Sequence, residues 1–97
     1  MNVELLKRLC EAPGIPGREE AIRRVTVAEL RQVVDEISVD ALGNVIGTKR
    51  GGGGPRVMLA AHMDEIGFVV SYIDKEKGWL RLVPLGGHDP RNMISQR

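Results

Sequence analysis

A histidine and an aspartate two residues apart, at the end of an apolar run, are the side chains best placed for chemistry. His62 and Asp64 follow residues 57–61, whose letters are VMLAA. If extended backbone continues past residue 61, both side chains point to the same side, because strand side chains alternate. A neutral imidazole is a common zinc ligand, and a nearby carboxylate can accept its other ring N–H and fix the tautomer. A histidine at a strand end is also often a purely structural hydrogen-bonding group, and this short pattern leaves both interpretations open.

Three other reactive side chains have less support for a chemical role. Glu65 would point away from His62 in a regular strand, which favours a solvated or salt-bridged role over that of a further ligand or acid. His88 lies in the turn-rich stretch GGHDP, where a polar surface histidine is expected. Cys10 is the one cysteine, and its leucine neighbours indicate a core position on a helix. No serine has a recognisable nucleophile setting, so covalent catalysis by serine or cysteine is disfavoured.

The apolar run itself must position His62 and Asp64. A short, continuous apolar segment flanked by turn residues is typical of a strand buried on both faces of a mixed or parallel sheet. Ligand sites of open α/β sheets gather at the carboxyl ends of such strands. The sequence therefore predicts an α/β core in which residues 57–61 form a buried strand that ends at the candidate site.

Two helices are predicted before this strand. Asn2 is a suitable cap for a short helix that Pro13 ends. The acidic residues Glu19 and Glu20 favour the start of a second helix, whose apolar period continues to about Val34. Its arginines are interpreted as a solvated face.

Two hairpins are predicted in the remaining chain. Residues 37–39 and 45–47 alternate around a turn, and residues 68–73 and 79–83 form a similar pair. The four glycines at 51–54 are interpreted as a flexible link, because no Lys-Ser or Lys-Thr follows them to complete a phosphate-binding loop. Because no helix is predicted after residue 67, an all-β unit is expected to begin there.

Composition narrows the class of protein. Ninety-seven residues with 42% hydrophobic content suit one small domain or part of a larger one. The 14 Lys and Arg nearly cancel the 13 Asp and Glu, so nucleic acid is not an expected partner. Neither a signal peptide nor a membrane-length apolar run is recognisable, which predicts a cytoplasmic protein without membrane contact. Residues 93–97 resemble the opening of a further strand, so the chain is expected to be part of a longer protein.

Four segments in order resemble one enzyme family. They are APGIPGxE at 12–19, VDALGNV at 39–45, VMLAAHMDEIGF at 57–68 and LGG at 85–87. Together they resemble the glutamyl aminopeptidase and tetrahedral (TET) aminopeptidase family of dinuclear zinc metallopeptidases. The resemblance implies that His62 ligates one of two zinc or cobalt ions. It also implies that Asp64 serves catalysis by orienting that histidine.

The resemblance also implies an architecture and partners. Residues 1–67 would be the N-terminal part of an α/β metallopeptidase core with helices and a mixed sheet. Residues 68–97 would begin an inserted, β-barrel-like dimerisation domain. Peptides would be the substrates, and dimers would assemble into a homo-oligomeric dodecamer. The other metal ligands and the catalytic glutamate would lie beyond this segment, so the segment alone is expected to be inactive.

Two alternatives stay open from the sequence. Some relatives have carried an endoglucanase name, although a glycosidase usually needs two facing carboxylates in a sugar-binding cleft. The chain could also be a non-enzymatic module that binds a partner through exposed strand edges.

Overall fold

The computed structural model describes residues 2–94, which contain two helices, two antiparallel hairpins and a short 3-10 helix. In chain order these elements are α1 (Val3–Glu11), α2 (Glu20–Leu30), β1 (Glu36–Val39), β2 (Val45–Thr48), β3 (Gly67–Asp74), β4 (Trp79–Leu85) and the 3-10 helix Pro90–Met93. The coarse α/β class is confirmed. Within residues 2–94 the strands form two separate two-stranded sheets, and the predicted mixed sheet is not formed. No helix in that range is long and apolar enough to cross a membrane.

Helix α1 forms as its sequence predicts. The side chain of Asn2 accepts a hydrogen bond from the Leu5 amide at 3.1 Å and so satisfies one of the free N–H groups of the first turn. The helix ends at Glu11, before Pro13. Arg8 of α1 forms an ion pair with Glu29 of α2 at 2.7 Å, which joins the two helices on their exposed side.

Helix α2 is shorter than predicted. It ends at Leu30, and the predicted end near Val34 was wrong. The Val33 amide donates to the Leu30 carbonyl, three residues back, so the chain tightens into a turn that leads into β1. The predicted solvated arginine face is also only partly correct. Arg23 donates to the Gly43 carbonyl at 3.4 Å and so links α2 to the β1–β2 turn.

The first hairpin forms with the predicted pairing. Val39 lies opposite Val45, and Asp40 organises the turn between them. The Asp40 carboxylate accepts hydrogen bonds from the Leu42 and Asn44 amides at 2.9 Å and from the Asn44 side chain at 2.8 Å. These bonds, with that of the Asn44 side chain the largest contribution, hold the pKa of Asp40 below its ordinary value. Gly43 has φ of 89°, a conformation that a β-carbon would disfavour.

The second hairpin is also confirmed. Strands β3 and β4 pair antiparallel from Gly67 opposite Leu85 to Asp74 opposite Trp79, with an irregularity between Val70 and Tyr72. The Asp74 carboxylate accepts from the amides of residues 76 and 77, which fixes the turn. Both faces of this two-stranded ribbon remain exposed over most of its length.

The predicted buried strand at residues 57–61 was wrong. That segment forms no strand, and Leu59 at its centre is 94% exposed. A strand exists only with a partner, and neither hairpin among the described residues pairs with this segment. Its apolar side chains predict burial, but burial requires neighbouring strands that residues 2–94 do not supply.

The described residues form a small junction in place of a continuous core. Ile22 is the one buried hydrophobic side chain among them, at 4% exposure, and Cys10, predicted to lie in a core, is exposed. The radius of gyration is 18.1 Å, against about 13 Å for a compact domain of this length. The accessible surface is 8679 Å², against roughly 5,500 Å² for a compact protein of this mass. Many large hydrophobic side chains contribute to this exposed surface, as in surfaces that other protein covers.

Candidate metal site

His62 and Asp64 are in direct contact. The His62 Nδ1 atom lies 3.0 Å from Asp64 Oδ1 and 3.0 Å from the Asp64 carbonyl oxygen. Because a carbonyl oxygen can only accept, Nδ1 must carry the proton. In the neutral imidazole this leaves the lone pair on Nε2. The predicted contact is therefore present. It favours the tautomer in which Nδ1 carries the proton and the lone pair of Nε2 is free to bind a metal.

The pair lies on the wall of an open cleft of about 570 Å³. Side chains of α1, α2 and the β1–β2 turn form the other walls, and most of them are apolar. They include Leu9, Ile22, Leu42 and Val45. The His62 side chain is 85% exposed and that of Asp64 is 40% exposed, so the free Nε2 is accessible to solvent. An apolar cleft with a few polar groups is the usual form of a small-molecule site.

The donor set fits part of a metal centre. A neutral histidine with a supported tautomer is a suitable ligand for zinc or cobalt. Glu19 and Cys10 also line the cleft, but the Glu19 carboxylate accepts a hydrogen bond from the Gly17 amide. Within residues 2–94 no group of three or more histidine, cysteine or acidic side chains lies close enough to hold a metal ion. The described residues thus offer one ligand and its hydrogen-bond acceptor.

Glu65 makes contacts that the sequence did not predict. Its amide donates to the Gly14 carbonyl at 2.8 Å, and its carboxylate accepts from the Gly14 amide at 3.3 Å. The expected solvated or salt-bridged role was therefore incomplete, because the carboxylate binds backbone. The two residues are 51 positions apart, so no local pattern could reveal the contact.

His88 is a structural residue, although not the free surface histidine that its turn-rich surroundings indicated. Its Nε2 donates to the carbonyls of Gly67 at 3.0 Å and Leu85 at 3.2 Å. Its ring lies against Phe68, with 4.4 Å between the ring centroids. These contacts close the open end of the β3–β4 hairpin. His88 does not line the cleft of His62.

Comparison with known proteins identifies relatives over nearly the whole chain. The chain is 48% identical over 95 residues to a lysyl aminopeptidase of Pyrococcus furiosus, an alignment that covers 97% of this chain and 27% of that protein. It is 42% identical over its full length to a putative aminopeptidase of Escherichia coli, again 27% of that protein. The chain thus spans about a quarter of the length of the curated relatives it matches.

Solved structures agree with these relatives. A TET aminopeptidase from a marine sediment archaeon of the Thaumarchaeota superimposes with a TM-score of 0.82 at 39% identity, over 92% of this chain and 25% of that one. A Thermotoga maritima protein described as an endoglucanase superimposes with a TM-score of 0.77 at 42% identity, over 89% of this chain and 28% of that one. The sequence profile of M42 glutamyl aminopeptidases matches residues 43–97. The chain therefore belongs to the M42 glutamyl aminopeptidase family.

Proposed function

We propose that this chain is the N-terminal segment of a metal-dependent aminopeptidase, in which His62 is a metal ligand and Asp64 orients it. The observation that carries the proposal is the 3.0 Å contact between His62 Nδ1 and Asp64 Oδ1, which leaves Nε2 free in the cleft. Family membership and the aminopeptidase names of the curated relatives support the same activity. The remaining ligands would come from outside residues 2–94.

The residues of the chain have separate roles in this proposal. His62 presents the Nε2 lone pair to the metal, and Asp64 keeps the proton on Nδ1 and limits rotation of the ring. His62 would hold one of a pair of divalent ions, zinc or else cobalt, which would supply a nucleophile from water at neutral pH and polarise the peptide carbonyl.

The endoglucanase alternative has little support in the cleft. Glycosidases position two carboxyl groups across the scissile bond, and sugar sites are commonly lined with aromatic rings. Among the described residues that line the cleft there is no Phe, Tyr or Trp, and the two carboxylates of the cleft already bind His62 and the Gly17 amide. We therefore favour peptides as the substrates. Release of reducing sugar without release of an N-terminal residue would reverse that choice.

The assembly and location follow the same proposal. Residues 68–97 would begin a β dimerisation domain, and dimers would build a dodecamer. The exposed apolar ribbon β3–β4, with Trp79 71% exposed, is a surface of the kind that such an interface buries. Light scattering of the full-length protein would test the assembly. Cell fractionation would test the predicted cytoplasmic location.

Metal binding by the 97-residue chain tests the proposal directly. The chain would be dialysed against a weak chelator and its zinc content measured. Zinc would then be added to each variant with binding followed by calorimetry, and the ring nitrogens of His62 would be observed by NMR in the chains that retain it. We expect little retained zinc, a shift of Nε2 on titration, and loss of the weak binding in His62→Ala. The His88→Ala variant is the matched control and should bind as the parent chain does. One or two retained zinc ions per chain would contradict the partial-site model, and zinc binding unchanged in His62→Ala would contradict the ligand assignment.

A further inference from the structure

We infer that Glu65 is a positioning residue for the His62–Asp64 pair and acts by fastening their segment to the loop at Gly14. The inference deepens the proposed function and rests on it for its catalytic meaning. Glu65 follows Asp64 directly, so whatever fixes its backbone also fixes the carboxylate that contacts His62. The inferred role requires no contact between Glu65 and a metal.

Two hydrogen bonds of opposite direction make the attachment. The Glu65 amide donates to the Gly14 carbonyl at 2.8 Å, and the Gly14 amide donates to Glu65 Oε1 at 3.3 Å. The pair closes a ring between the two segments and uses both backbone polar groups of Gly14. A single bond would allow rotation about its axis, whereas two bonds restrict it.

The loop side of this attachment is itself firmly placed. A β-carbon on Gly14 would lie 2.6 Å from Ile22 Cγ2 and 3.6 Å from the Met63 carbonyl oxygen. Gly14 is thus in close contact with the one buried hydrophobic side chain in residues 2–94. A second close approach lies at Gly67, two residues after Glu65, where a β-carbon would overlap the Ile15 side chain. The segment that carries the His62–Asp64 pair is therefore joined to the best-packed point of the described structure.

His62 has few other restraints. Its side chain is 85% exposed, and its ring contacts only Asp64 by hydrogen bonding among the described residues. How well the position and orientation of the His62 ring are fixed therefore depends on the backbone that follows it. Outer partners of a metal-binding histidine typically contribute about 10- to 100-fold to metal affinity. Glu65 would contribute to that effect one step further from the metal.

The test compares Glu65→Ala with Glu65→Gln in the 97-residue chain. Glutamine retains an oxygen acceptor for the Gly14 amide but loses the negative charge, whereas alanine removes the acceptor. The first readout needs no metal: the ring nitrogen shifts of His62 at alkaline pH report what fraction carries the proton on Nδ1. The second readout is zinc affinity from titration of the same signals. Far-UV circular dichroism would show that each variant retains its helices.

We expect Glu65→Ala to lower the Nδ1-protonated fraction and to weaken zinc binding about 10-fold, the lower end of the range for such partners. Glu65→Gln should stay within about twofold of the parent chain in both readouts, because the acceptor is kept. An unchanged tautomer fraction in Glu65→Ala would overturn the positioning role, even if thermal stability fell. An equal loss in both variants would also overturn it, since the carboxylate charge would then be the essential feature.

Failure of the proposed function would have a different signature. If His62→Ala bound zinc as well as the parent chain, the metal assignment would fail. The tautomer comparison would still decide whether Glu65 positions His62, because it is made without metal.

Discussion

The contact between Gly14 and Ile22 can be tested by adding one methyl group. In Gly14→Ala the new β-carbon would lie 2.6 Å from Ile22 Cγ2 and 3.2 Å from Ile22 Cβ. Carbon atoms in optimal contact are about 3.5–4.0 Å apart, so one of the two segments must move by about 1 Å. Ile22 is β-branched within a helix and has essentially one favourable χ1 rotamer, so its side chain cannot rotate away at low cost. The loop must move, and its two hydrogen bonds to Glu65 move with it.

Overpacking of this kind costs about 1–3 kcal/mol in well-packed sites. The equilibrium constant for opening of the Gly14–Glu65 contact should therefore rise by a factor of roughly 5 to 150. Amide hydrogen exchange at Glu65 measures this opening, because its N–H donates to the Gly14 carbonyl. The matched control is Gly51→Ala, since a β-carbon there meets nothing within 4 Å in the part of the chain that the structure describes. Exchange in that variant should match the parent chain.

A double variant separates steric overlap from other effects of the substitution. Ile22→Ala removes the Cγ2 atom, so Gly14→Ala should destabilise much less in that background than in the parent chain. If the Glu65 amide exchanges as slowly in Gly14→Ala as in Gly51→Ala, the close packing at Gly14 is refuted. The same conclusion would follow if Gly14→Ala destabilised the Ile22→Ala background as much as it destabilises the parent chain.

Three further predictions concern other parts of the chain. In His88→Ala, amides at the open end of the β3–β4 hairpin should exchange faster, because Gly67 and Leu85 lose a shared donor; unchanged exchange would contradict the structural role. The folded-state pKa of Asp40 is lowered, so its stabilisation of the β1–β2 turn is complete above the unfolded value of about 3.9 and is lost as pH falls through the folded-state pKa. NMR of the turn should show this step, and Asp40→Asn should lack it. Leu59→Lys should reduce self-association in sedimentation experiments while the circular dichroism spectrum stays the same; equal association would show that the exposed run is not responsible.

Features set by local sequence were predicted well. The Asn2 cap, the break at Pro13 and both hairpins depend on residues within a few positions of one another. The end of α2 was wrong because the apolar period continues to Val33 while the backbone already turns after Leu30. Periodicity describes which face is apolar, and it does not mark where the backbone changes direction.

Features that depend on distant partners were predicted poorly. Residues 57–61 have the apolar sequence of a buried strand. Pairing, however, needs strands from outside the described residues, and burial needs a second layer of structure. At the candidate site the contact of His62 with Asp64 was predictable, since alternation over two residues is local. The attachment of Glu65 to Gly14 was not, because it joins segments 51 residues apart.

The glycine link at residues 51–54 has a consequence for engineering. A β-carbon at any of its four positions would meet no atom of the described residues within 4 Å. Doubling the length of a flexible loop costs only about 0.6 kcal/mol in closure entropy. Extra residues, a peptide tag or a small reporter domain should therefore be accepted between β2 and the segment that carries His62. The link offers a permissive insertion point that leaves both the first hairpin and the Gly14–Glu65 attachment intact.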